Sequence, residues 1–283
     1  MTAKGAQVNL LSSGFGLFSG AFGQACEASE MAGNRATVDE ADVARFEALG
    51  DDWWAEQGSM RPLHRLNPVR IAYIRDHICQ HFPDADTARP RDVKRPSPLA
   101  GLSLLDIGCG GGILAEPLAR LGADVTGIDP AAGNIAIASA HAREMGTPVT
   151  YRAVTAEDLL AEGARFDVVT AMEVVEHVTD VNAFVKTCAG LVKPNGLLFM
   201  ATLNRTLKSF ALAIVGAEYV LRWVPAGTHQ WEKFVKPSEL EEAMAAGGAE
   251  VFDVAGVVYN PLRDKWSQSR DTDVNYMCVG RKF

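Results

Sequence analysis

The sequence predicts an α/β fold: a doubly wound, mostly parallel sheet of seven strands, preceded by an N-terminal helical cap. Three observations carry that expectation. From Leu102 onward, short apolar and β-branched runs alternate with helical stretches, the rhythm of buried parallel strands joined by crossover helices. The first run opens into "LLDIGCGGGILA" (Leu104–Ala115), where Gly108, Gly110, Gly111 and Gly112 crowd a strand-to-helix bend. At 283 residues and 48% hydrophobic, the chain is also long enough to bury a substantial core.

The elements follow in order. Residues 1–37 are expected to be a flexible tail, because "MTAKGAQVNLLSSGFGLFSG" has a Gly-punctuated apolar patch without the Arg-rich pattern of a transit signal. A helical cap over 38–83 starts with "TVDEADVARFEALGDDWWAE", in which Thr37 and Glu40 have capping-box spacing. Its second helix is placed at Pro68–Phe82. The Pro- and charge-rich "PDADTARPRDVKRPSPLAG" marks a surface loop over 84–100. The main domain, 101–283, has strands at Ser103–Ile107, Asp124–Ile128, Val149–Ala153, Phe166–Ala171 and Leu197–Thr202. Helices at Leu114–Leu121, Asn134–Met145, Ala156–Leu160 and Asn182–Val192 fill the gaps. An apolar insert over 206–235, a helix from Pro237 and strands near Ala249–Val258 and Asn275–Gly280 complete the domain.

Composition narrows the function. A net charge of −8 and a pI near 5.3 argue against a nucleic-acid partner. Cys26, Cys79, Cys109, Cys188 and Cys278 are odd in number, widely spaced and without a CxxC pair, so free thiols are expected. No segment reaches the roughly 20 apolar residues of a spanning helix.

In a doubly wound sheet the ligand lies beyond the carboxyl ends of the strands, which makes the glycine turn the natural site. A dinucleotide fingerprint needs glycine at the first, third and sixth turn positions. Gly108 and Gly110 fit, but Ile113 occupies the sixth. No Gly-Lys-Ser/Thr follows, so a phosphate-binding loop fails too. What remains is a turn that a ligand approaches closely, with an acid at its entrance. Asp106 suits an ammonium group, and Asp129, ending the second strand, suits ribose hydroxyls. A cationic nucleoside without phosphates, S-adenosylmethionine, fits both. The competing reading makes Asp129 a helix cap.

After the fourth strand comes "MEVVEHV". If it is helical, Glu173, Glu176 and His177 share one face at i, i+3 and i+4. So placed, they would hold a divalent ion that binds adjacent ring oxygens, or His177 or a Glu would act as general base on a phenol. A solvated helix face is the plain alternative.

The runs "LLDIGCGGG", "VTGIDP", "RFDVVTAMEVVEHV" and "LVKPNGLLFMATLNR" resemble the successive motifs of class I S-adenosylmethionine-dependent methyltransferases, a Rossmann-like family. "WWAEQGSMRPLHRLNPVRIAYI", "NRTLKSFALAIVGAEYVLRWVPAGTH" and "DTDVNYM" bring the resemblance closer, to the ubiquinone-biosynthesis O-methyltransferases, over Val43 to Met277. The tail before Thr37 and the long loop around Arg89–Pro98 depart from that pattern.

The resemblance implies that Arg70 takes the methionine carboxylate of the cofactor, for which an Arg fork is suited. It implies that Gly108, Asp129 and Met172 contact the cofactor, with Met172 beside the adenine; Gly110 and Asp106 complete the cofactor set. It implies Mg2+ at Glu173, Glu176 and His177. The expected reaction is O-methylation of polyprenylated catechol and demethylquinol intermediates, at both O-methylation steps of ubiquinone synthesis. Another small phenol, or a non-catalytic S-adenosylmethionine-binding regulator, is the alternative.

"TAMEVVEH" lacks the Asn/Asp-Pro-Pro-aromatic motif of nucleobase methyltransferases, and none of the five tyrosines forms a dehydrogenase Tyr-x-x-x-Lys pair. The segment Ser209–Val224 reads as an interfacial helix, broken by Glu218 and Arg222 and so too short and charged to span. The plain alternative is a helix buried in the protein's own core. On the interfacial reading, to which the resemblance also points, the chain is expected at a membrane surface: the cytoplasmic face of the bacterial inner membrane, or the matrix side in a mitochondrion, with other ubiquinone-biosynthesis proteins as further partners.

Overall fold

A computed structural model describes residues 37–48, 50–55, 58, 60–84, 87–212 and 231–283. Eight strands form one sheet: β1 Ser103–Ile107, β2 Asp124–Ile128, β3 Val149–Arg152, β4 Phe166–Met172, β5 Val192–Leu203, β6 Ala249–Asn260, β7 Lys265–Ser269 and β8 Asn275–Lys282. Their order is β3-β2-β1-β4-β5-β8-β6-β7. Pairing is parallel from β3 to β5 and antiparallel from β8 onward. The expected seven strands become eight. β6 overruns its predicted end, turns at residues 261–264, and pairs through Tyr259↔Trp266 with the polar edge strand β7.

Helices α1 Glu40–Glu47, α2 Arg61–His81, α3 Ala115–Arg120, α4 Ala132–Glu144, α5 Ala156–Ala161, α6 Val181–Gly190 and α7 Pro237–Ala246 flank the sheet. Side-chain alternation along the central strands feeds two cores. Leu105, Val169 and Leu198 pack with Phe184 and Cys188 of α6 and Leu240 of α7. Their neighbours Leu104, Val168 and Leu197 face the other way, onto Tyr73, Ile74 and Ile78 of α2. Those three α2 side chains are at most 1% exposed, and each contributes about 1.5–3 kcal/mol through burial. The cap and the sheet therefore share one core.

Two cap assignments change. Asp39, not Thr37, caps α1, accepting from the Ala41 and Asp42 N–H groups. The Thr37 hydroxyl instead donates to Glu157. α2 starts at Arg61, about two turns before Pro68, with Pro62 in its first turn, where a missing N–H costs nothing. The expected tail, apart from Thr37, lies outside the described residues, as do residues 213–230 of the apolar insert. The described start of that insert is a helical turn, Leu207–Ser209, capped by Thr206. Among the described residues, no helix is long and apolar enough to cross a membrane.

Candidate functional site

The reversal of strand order between β1 and β4 opens a crevice at their carboxyl ends. A cavity of about 740 Å³ occupies it. Arg70, Asp106, Gly108, Asp129, Met172, Glu173, Glu176 and His177 all line this cavity. Gly110 does not.

The glycine turn answers a different need from the one its sequence suggests. A Cβ on Gly108 would sit 2.6 Å from Cγ2 of Val174. One on Gly110 would sit 2.7 Å from Cζ3 of Trp53, and one on Gly111 2.6 Å from Cγ of the same side chain. At Gly112 the Tyr151 hydroxyl fills the space. The protein's own side chains thus occupy the bare faces. Within the turn, Gly108 and Cys109 remain on the cavity wall.

Asp129 is 8% exposed and fully engaged. Its Oδ2 accepts from the Gly110 N–H at 3.0 Å; its Oδ1 accepts from the Ala131 N–H at 2.9 Å and from Asn134 Nδ2 at 3.3 Å. It ties the turn to the start of α4 while facing the cavity, so the anchoring and ligand readings are compatible. Burial pushes its pKa up against those three hydrogen bonds.

Asp106 and Arg70 are the incompletely paired groups. Oδ1 of Asp106 accepts from the Thr170 hydroxyl at 2.8 Å, whereas its buried Oδ2 has no partner among the described residues. Burial lifts this carboxyl from 3.8 to about 7, opposed by the Thr170 hydrogen bond and the Arg70 charge. Arg70 is 5% exposed, and its Nε and Nη2 make no hydrogen bond among the described residues. Nη2 lies 2.9 Å from Glu173 Oε1, an ion pair without hydrogen-bond geometry. One cavity thus presents a guanidinium with incomplete hydrogen bonding and a carboxylate oxygen without a partner among the described residues.

The helix expected from Glu173 is absent. β4 runs through Met172, and the Glu173 N–H still donates to the Ala201 carbonyl of β5. Glu173 then takes a left-handed backbone, φ 61°, and only Val175–His177 turn, as a short 3-10 helix. The three side chains diverge. Glu173 faces Arg70 and accepts from Asn275 Nδ2 at 3.3 Å. Glu176, 4% exposed, accepts from the Thr202 hydroxyl at 2.8 Å. Burial, then the charge of Glu173, holds its pKa above the ordinary carboxylate range. His177 Nδ1 lies 3.1 Å from Asp42 Oδ2. As they stand, the three do not fit a metal ion; among the described residues no three His, Cys, Asp or Glu are grouped to hold one.

Several residues in the site escape sequence reading. Asp42 on α1, whose carboxyl stays below its usual pKa despite burial because of His177, Arg45 and Lys233, reaches His177 across 135 positions. Trp53 and Asn134 join behind Asp129. The doubled tryptophan of "DDWWAE" was the available signal for one of them. Cys79, Cys109, Cys188 and Cys278 are free, as expected, and they are buried; Cys26 lies outside the described residues.

Comparison with known proteins follows the same lines. Residues 74–254 match a family model described as "Methyltransferase domain". A ubiquinone biosynthesis O-methyltransferase of Methylobacterium nodulans is 61% identical over 246 residues, covering 87% of this chain and 96% of the relative. Its counterpart in Rhizobium etli is 56% identical over 250 residues, covering 88% and 98%. A solved S-adenosylmethionine-dependent methyltransferase of Thermotoga maritima, a possible histamine N-methyltransferase, superposes with a TM-score of 0.50 at 20% identity, over 79% of this chain and 96% of that one. That likeness bears on the fold alone.

Proposed function

Because the chain belongs to the ubiquinone biosynthesis O-methyltransferase family, we propose that its cavity seats S-adenosylmethionine with the amino-acid end between Arg70 and Asp106. The protein is an S-adenosylmethionine-dependent O-methyltransferase of ubiquinone biosynthesis. The observation that carries the placement is the pair of incompletely satisfied, opposite groups in one cavity. A zwitterionic methionine end presents the complementary carboxylate and ammonium. Charge-assisted bonds of this kind are the strong ones, and buried groups left without them are costly. Asp129 takes the ribose hydroxyls, Gly108 meets the cofactor along the cavity wall, and Met172 packs on the adenine.

When bound, S-adenosylmethionine supplies a methyl group already activated on a sulfonium. The chain's residues then have to align an incoming ring oxygen and remove its proton. His177 suits that task. Asp42 takes the Nδ1 side of the imidazole, which leaves Nε2 to accept the hydroxyl proton as the oxygen–carbon bond forms and the carbon–sulfur bond breaks.

The substrate is a polyprenylated catechol or demethylquinol, methylated at both O-methylation steps. Its lipid-soluble tail supports the reading of 209–224 as a membrane-surface segment at the inner membrane. Of that segment, Phe210 and Leu212 are described and are 45% and 55% exposed; residues 213–224 lie outside the described residues. Magnesium at Glu173, Glu176 and His177 is the second reading, favoured by all three lining one cavity. It requires Glu173 to release Arg70 and His177 to turn from Asp42. A methylation assay with a short-tailed dihydroxy-polyprenylphenol and a demethylquinol tests the function. Turnover of both is expected; cofactor binding with turnover of neither would leave a regulator instead.

A further inference from the structure

Behind the ribose-facing carboxylate a chain of buried hydrogen bonds runs back to the N-terminal cap. Trp53 Nε1 donates to Asn134 Oδ1 at 3.0 Å. Asn134 Nδ2 donates to Asp129 Oδ1 at 3.3 Å. The three side chains are 6%, 1% and 8% exposed, so water does not substitute for either link. The polarity of the chain is fixed at both ends. An indole N–H only donates and an ionised carboxylate only accepts, so one orientation of the Asn134 amide satisfies both. The same indole lies on the bare faces of Gly110 and Gly111, and the Gly110 N–H is the donor to Asp129 Oδ2. Trp53 therefore stands behind both oxygens of Asp129, through Asn134 on one side and through the glycine turn on the other.

We infer that Trp53 is a positioning residue for the cofactor, acting through Asn134 to hold the Asp129 carboxylate in the orientation that reads the ribose. The inference rests on the ribose role of Asp129 proposed above. It makes the cap, from another part of the sequence, a determinant of cofactor affinity. Trp54, its neighbour, donates to the Gly111 carbonyl at 2.8 Å and stacks on His141 at 3.5 Å. It belongs to the same clamp without reaching Asp129, and so serves as the control.

The test is calorimetric binding of S-adenosylhomocysteine and its 2′-deoxy and 3′-deoxy analogues to the full chain. Wild type should bind the deoxy analogues more weakly; indifference to both hydroxyls would overturn the ribose reading itself. Trp53→Phe keeps the ring and removes the N–H. It should weaken S-adenosylhomocysteine binding by about tenfold, the scale of one buried hydrogen bond. The deoxy penalty should shrink in that variant, because the carboxylate is no longer held. Turnover at saturating cofactor should stay within about twofold, so the effect appears in KM for the cofactor. Trp54→Phe should keep the full deoxy penalty. The inference is overturned if Trp53→Phe binds like wild type, or if it weakens all three ligands equally, as a packing role alone would. Should that variant not fold, Asn134→Ala breaks the same chain at its middle and carries the same expectations.

Discussion

Replacing Asp106 with Asn should stabilise the free protein at alkaline pH while weakening its hold on the cofactor. Asp106 is 2% exposed, and only one of its carboxylate oxygens has a partner, the Thr170 hydroxyl. Burial raises its pKa from 3.8 to about 7. About three pKa steps at roughly 1.4 kcal/mol each put the disfavour of the ionised form near 4 kcal/mol, as an upper figure. The folded-state pKa lies above the unfolded one, so the native chain keeps a proton that the unfolded chain has already lost. Stability from this group is fullest below pH 3.8, declines as pH rises to about 7, and is flat above. An Asn keeps the Thr170 hydrogen bond and never ionises. Melting curves should therefore place Asp106→Asn several degrees above wild type at pH 8, with the gap closing toward pH 4. Calorimetry at pH 8 should show S-adenosylmethionine bound about 10- to 100-fold more weakly, since a charged partner of the ammonium is lost. A melting gap that does not change with pH would refute the burial argument. Unchanged cofactor affinity in the folded variant would refute the ammonium assignment. The opposite signs matter together: a residue kept for function at the expense of stability should show both.

Three further outcomes follow from the same geometry. Asp129→Ala removes the acceptor of three hydrogen bonds and should weaken cofactor binding by on the order of 1.5–3 kcal/mol by calorimetry; a folded variant with wild-type affinity would dismiss the ribose role. His177→Ala should leave cofactor binding nearly intact and collapse turnover, and treatment of wild type with EDTA separates the two readings of this segment: activity retained without magnesium favours the base, activity lost and restored by magnesium favours the metal. Wild type should float with liposomes, and Phe210→Glu combined with Ile214→Glu should not; wild type left in the soluble fraction with both anionic and neutral vesicles ends the membrane reading.

How much of this was legible in the sequence depended on which forces act locally. The central strands β1 and β4 could be read because each is a mostly apolar run, buried along most of its length. β7 could not: "KWSQS" is a polar edge strand with exposed or half-buried positions, and only its pairing with β6 makes it a strand. The capping box of α5, Thr155 with Asp158, follows the ordinary local rule. The similar spacing at Thr37 misled, because a contact 120 residues away, with Glu157, claims that hydroxyl.

The site divides in the same way. Strand-end acids were legible because topology alone carries Asp106 and Asp129 to the crevice. The Glu173–His177 spacing was misleading because helical geometry was assumed where the β4–β5 ladder had not yet ended: the hydrogen bond from the Glu173 N–H to Ala201 keeps the chain extended one residue longer. The turn that follows needs a left-handed residue, and a glutamate fills it. That conformation costs a non-glycine side chain on the order of 1–3 kcal/mol and persists only where the surroundings fix it. Here the ion pair to Arg70 and the hydrogen bond from Asn275 do so. A cofactor carboxylate at Arg70, as proposed above, would compete for the first of those restraints and so would couple the backbone at Glu173 to cofactor occupancy, through a contact that spacing along the chain could not have displayed.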